Sequence, residues 1–73
     1  MNAEKIGKRI RARRAQLLVE VEKRMTLSDL SDLTGITPAH LSRIESGGHI
    51  PQLDTIERIA AALQISVADL IED

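Results

Sequence analysis

The sequence predicts an all-α fold, a compact bundle of five helices, and three observations carry that expectation. Aliphatic residues recur at three- and four-residue steps along most of the chain. Hydroxyl residues followed three positions later by Asp open segments at Thr26 and Ser66, and Thr37-Pro38 opens another. No window alternates between apolar and polar residues with turn signals at both ends, as a strand would.

Each element has its own local reason. Ile6, Ile10, Leu17 and Val21 line one face of a first helix that begins near Asn2 or Ala3. Gly7 costs that helix about 1 kcal/mol relative to Ala, which the Arg/Ala/Gln/Leu-rich stretch after it absorbs. The helix reaches as far as Lys23, unless the alternating Val19-Glu20-Val21-Glu22 ends it early. Residues 18–23 are therefore either an extension of the first helix or an inserted loop. Thr26-Leu27-Ser28-Asp29 is a capping box, and Leu27, Leu30 and Leu33 mark a helix of about two turns that stops at Gly35. Thr37 caps a third helix with Pro38 at its first position, Leu41 and Ile44 form the inward stripe, and Gly47-Gly48 closes it. Leu53, Ile56, Ile59, Ala60 and Leu63 make a strongly amphipathic fourth helix. Ser66-Val67-Ala68-Asp69 is a second capping box and opens a short fifth helix with Val67, Leu70 and Ile71.

Composition narrows the function classes. At 73 residues and 8.0 kDa, residues 1–73 are read as one small domain. The absence of Cys removes disulfides and thiolate metal sites, and the absence of Phe, Tyr and Trp removes aromatic platforms for single-stranded nucleic acid. No apolar run approaches the roughly 18 residues of a membrane span, and no signal-peptide stretch opens the chain. The expectation is a cytoplasmic, nucleoid-associated protein. The net charge of −1 hides an asymmetry: residues 1–24 sum to +5 and residues 25–73 to −6. Such a chain can present one positive face to a polyanion, or simply a set of solvated helix faces.

The pair of short helices around Thr34-Gly35-Ile36-Thr37, with Leu30, Leu33, Ile36, Leu41 and Ile44 turned inward, is a helix-turn-helix arrangement. It holds the second helix proud of the domain, where its first turn can enter a major groove about 12 Å wide. The order Ile10-x-x-x-Arg14, Leu30 to Gly35-Ile36-Thr37, Leu41-Ser42-Arg43-Ile44-Glu45-Ser46-Gly47, Pro51 and Ile59-Ala60-x-x-Leu63-x-Ile65-Ser66 resembles the phage-repressor-type family, called XRE, which includes the Cro-like, cI-like and lambda-repressor-like DNA-binding domains. The likeness runs from about Ile6 to Ile71.

That resemblance implies a DNA-binding transcriptional regulator, a repressor or controller acting as a homodimer on a palindromic operator. The recognition helix is then Pro38–Ser46. Base contacts fall to Pro38, Ala39 and Arg43, flanked by Thr37, His40 and Ser42. Arg43 is the strongest of these, because its planar fork can bond O6 and N7 of guanine together. Phosphate contacts fall to Thr26, Leu27, Ser46, Gly48 and His49, with Lys5, Lys8, Arg9 and Arg11 adding charge from the first helix. Arg14 and Glu45 match a family pair that forms a partly buried structural salt bridge. Four features depart from the family pattern. Pro38 offers no donor, Leu27 stands where a polar side chain is usual, and Gln64 stands where Gly is usual, so it is expected at positive φ. Residues 18–23 are also extra.

Other function classes find less support in the sequence. Ser42 and Ser46 near His40 form no activated-nucleophile motif, and so short a chain has no room for a sizeable pocket, so no enzyme is expected. His40 and His49 are nine positions apart without Cys or an acid in ligand register, so neither a metal nor a cofactor is expected. The alternative is a protein-interaction or antitoxin-type module using the same bundle. Leu18, Val19 and Val21 cannot all be buried in a five-helix core, and they are expected to contact a protein partner or a second subunit.

Overall fold

The computed structural model describes residues 1–72. Among these the chain forms five helices, α1 (Ala3–Val21), α2 (Leu27–Thr34), α3 (Pro38–Glu45), α4 (Leu53–Leu63) and α5 (Val67–Ile71). None is long and apolar enough to cross a membrane.

Helix starts follow the local chemistry. Asn2 caps α1 by accepting from the Lys5 backbone N–H at 3.0 Å. Thr26 and Ser66 close complete capping boxes with Asp29 and Asp69, each hydroxyl accepting one backbone N–H and each carboxylate accepting another. Helix ends are equally local. Gly35 leaves α2 at φ 76°, in the left-handed region that a residue without Cβ enters freely. Gln64 ends α4 at φ 60°, the strained geometry expected where a Gly is usual.

Helix α1 has 19 residues and is about 28 Å long, close to the longest extent of the molecule, 29 Å. It packs against α3, α4 and α5, while α2 packs against α3 and α4. The core between them is aliphatic: Ile6, Ile10 and Leu17 from α1, Leu30 from α2, Leu41 and Ile44 from α3, Ile56, Ile59, Ala60 and Leu63 from α4, and Leu70 from α5. Met25 and Ile36 join it from the connections. Met25 and Leu30 occupy the two positions of a hydrophobic staple on either side of the Thr26 cap, which sets the angle at which the chain enters α2.

Residues 18–21 lengthen α1, and the connection begins at Glu22, at φ 53°. The Lys23 N–H folds back to the Leu17 carbonyl at 3.0 Å, so the turn is anchored to the last buried residue of the helix.

Val21, which the sequence places both on the α1 stripe and in a partner-facing patch, is exposed, and so are Leu33 and Leu53, which their stripes place inside. Val21 is exposed because α1 runs about 6 Å past Leu17, beyond the helices that cover it. Leu33 is exposed because the inward place one turn beyond Leu30 goes to Thr34. The Thr34 hydroxyl is satisfied there, donating to the Leu30 carbonyl at 2.8 Å and accepting the Ile36 N–H at 3.2 Å. Leu53 is exposed because it opens α4 ahead of the turn where that helix enters the core at Ile56.

Gly7 has a role its helix propensity does not reveal. A Cβ there would lie 2.7 Å from the Ile44 carbonyl oxygen and closer still to that of Glu45. Helices α1 and α3 therefore touch backbone to backbone, and only Gly permits it.

Candidate functional site

The outward face of α3 is set by what its inward face buries. Leu41 and Ile44 are fully buried and anchor the helix to the core. Ala39, Ser42, Arg43 and Ser46 then share the opposite stripe, at three- and four-residue steps, and all four are exposed. Thr37 and Pro38 are exposed at the start of the helix, and the Thr37 hydroxyl accepts the His40 N–H at 3.2 Å. This arrangement leaves the Arg43 side chain unengaged by any acid among the described residues.

Behind α3, Glu45 is only 6% exposed and is held by α1. Arg14 donates from Nε to Oε2 at 2.7 Å and from Nη2 to Oε1 at 2.7 Å, a two-pronged pair whose planar geometry suits guanidinium and carboxylate. Its third donor, Nη1, reaches the Met25 carbonyl at 3.1 Å. One guanidinium thus joins α1, α3 and the approach to α2. Arg11 makes a longer contact with Glu45 at 3.4 Å and stays largely in solvent.

The start of α2 lies beside this cluster. Arg11, Arg14, Arg24 and Thr26 line a groove of about 240 Å³ with Ala15, Leu18 and Met25. Thr26 is exposed, whereas Leu27 packs against the core, so position 27 can offer an anion its backbone N–H but no polar side chain. Arg24 is 3.5 Å from Asp29 and mostly exposed. The Asp29 carboxyl is held below its usual range, first by the Thr26 backbone N–H, then by the Thr26 hydroxyl, with a smaller contribution from Arg24.

Past α3, Gly48 is exposed and His49 half-buried. The His49 ring comes to the His40 ring, a meeting that their separation of nine positions does not announce.

The basic residues of α1 divide by direction. Arg11 and Arg14 face α3. Arg9 donates to the Leu70 carbonyl at 3.1 Å and Arg13 to the Leu63 carbonyl at 2.9 Å, satisfying carbonyls left open at the ends of α5 and α4. Arg9 was expected to add charge beside Arg11; it is instead engaged on the α5 side of the helix. Sequence reasoning missed two contributors to this site, Gly7 and Met25, and also the role of Arg13 at the end of α4. Met25 had a readable signal, an apolar residue directly before a capping box. Gly7 and Arg13 had none, because their partners lie far along the chain.

The family model for the helix-turn-helix matches residues 14–70. No curated protein and no solved structure matches the chain.

Proposed function

Because the chain belongs to the helix-turn-helix family, and so is a DNA-binding regulatory domain in general terms, we propose a finer reading: a phage-repressor-type regulator, a repressor or controller, with residues 1–73 acting as one domain. It inserts α3 into the major groove and works as a homodimer on a palindromic operator, with half-sites roughly 34 Å apart. Pro38, Ala39 and Arg43 read bases, flanked by Thr37, His40 and Ser42. Ala39 offers only a methyl, suited to a thymine methyl, and Arg43 a fork suited to guanine. Thr26, the Leu27 backbone, Ser46, Gly48, His49 and Arg11 grip phosphates, with α2 presenting its N-terminus to one of them.

The observation that carries this reading is the exposed stripe Ala39, Ser42, Arg43 and Ser46 above a fully buried Leu41 and Ile44. The test is a fluorescence-anisotropy titration against a duplex selected from a random pool and against a scrambled duplex, each at two salt concentrations. A steep fall in affinity with salt, together with a strong preference for the selected duplex, supports the reading. No affinity for either duplex at low salt overturns it.

A second reading, a protein-interaction or antitoxin-type module, is favoured by one observation. Leu18, Val19 and Val21 are 53%, 79% and 62% exposed at the free end of α1. Sedimentation velocity of the parent and of Val19→Glu tests whether this patch joins two copies. The two readings are compatible in one molecule.

A further inference from the structure

His40, in the first turn of α3, and His49, in the connection to α4, bring their Nε2 atoms to 3.4 Å. The ring centroids are farther apart, 5.4 Å, with the planes inclined by 17°. The rings therefore meet by their Nε2 edges and not face over face. As a hydrogen bond the contact is long, so the two rings gain little from each other directly. The separation does fit another use. Two nitrogens bound to one tetrahedral zinc ion, each at 2.0–2.1 Å, lie roughly 3.3–3.4 Å apart.

We propose that His40 and His49 form a two-imidazole site for a borderline divalent cation of the Zn²⁺, Ni²⁺ or Cu²⁺ class. The donor set selects that class. Neutral imidazole suits these ions, whereas Mg²⁺ and Ca²⁺ require oxygen ligands that this pair does not supply. Among the described residues no further His, Cys, Asp or Glu completes a cluster of three, so water fills the remaining positions. Space for it exists: the two rings line a cleft of about 410 Å³ with Ile50, Pro51, Gln52 and Thr55. A bound ion ties the first turn of α3 to the connection after it and adds positive charge to that surface. The site rests on the geometry of the pair and holds whether or not α3 reads DNA.

The test uses the untagged full chain and Zn²⁺ alone. Isothermal titration is expected to show one ion per chain, and the ring-nitrogen resonances of both His40 and His49 are expected to shift together. His40→Gln and His49→Gln, each folded by circular dichroism, are each expected to bind at least tenfold more weakly. Absence of binding, a shift confined to one ring, or less than a tenfold loss in either variant overturns the proposal.

Discussion

Glu45 is bound by Arg14 through both carboxylate oxygens, each at 2.7 Å, and this pair fastens the outward-facing α3 to the long first helix. The Glu45 side chain is 3% exposed and that of Arg14 18%, so both charges have left most of their water. A pair of this kind contributes less to net stability than its geometry suggests, because desolvation offsets the attraction. Breaking it is a different matter, since one charge is left behind.

Glu45→Ala is therefore expected to lower stability by about 2–4 kcal/mol, the lower end applying because Arg14 retains some solvent and its Met25 contact. DNA affinity falls with it, as α3 loses its anchor. Urea unfolding and anisotropy on the same variant check this. Lost affinity at an unchanged unfolding midpoint would show that Glu45 acts on DNA and not through Arg14.

Gly7→Ala sets two effects in opposition. Helix propensity favours Ala by about 1 kcal/mol. The new Cβ, however, meets the carbonyls of Ile44 and Glu45, which are backbone atoms and cannot swing aside. Overpacking of this kind costs about 1–3 kcal/mol before the propensity gain. The expected outcome is a lower thermal midpoint, and a raised one would mean that α3 moves away from α1 without penalty.

Arg43→Ala should leave folding within about 0.5 kcal/mol of the parent, since the side chain is exposed on the outer stripe. Its effect is on recognition: preference for the selected duplex falls by roughly 1–3 kcal/mol, while affinity for scrambled DNA falls less. Parallel losses on both duplexes would make Arg43 a phosphate contact.

Acid sensitivity is written into the two capping boxes. Asp29 and Asp69 titrate below the usual carboxylate range, held there chiefly by the backbone N–H groups of Thr26 and Ser66 and then by the hydroxyls. Because their folded values lie below the unfolded one, their stabilisation is fully present above about pH 4. It is lost as pH falls through the lowered folded values. Asp29→Asn with Asp69→Asn should be less stable than the parent at pH 7, and the gap should close on acidification. Urea midpoints measured across the acid range check this, and a gap that persists to about pH 2 would point away from the carboxylate charges.

Much of the fold was readable because its signals are short-range. The caps at Thr26, Thr37 and Ser66 each act over three residues, and Gly35 acts on its own φ. The identity of the outer α3 stripe follows from Leu41 and Ile44, which the helical period places opposite Arg43. Reading failed where two candidates lay about 100° apart on a short helix. Leu33 and Thr34 both suited the inward place on α2, and hydrophobicity favoured the wrong one. It failed also for two of the α1 arginines: the resemblance points to the pairing of Arg14 with Glu45, but nothing local announces that Arg9 and Arg13 serve helix ends.

Sequence alone thus determined the number of helices, their starting points and the side of α3 that faces outward, since those depend on contacts between residues at most a turn apart. Only the tertiary structure decided that Gly7 lets two helix backbones touch, that Arg9 and Arg13 reach the carbonyls at the ends of α5 and α4, and that His40 meets His49. Those relationships depend on how helices cross, and the crossing is set by the packed core as a whole and by no single stretch of chain.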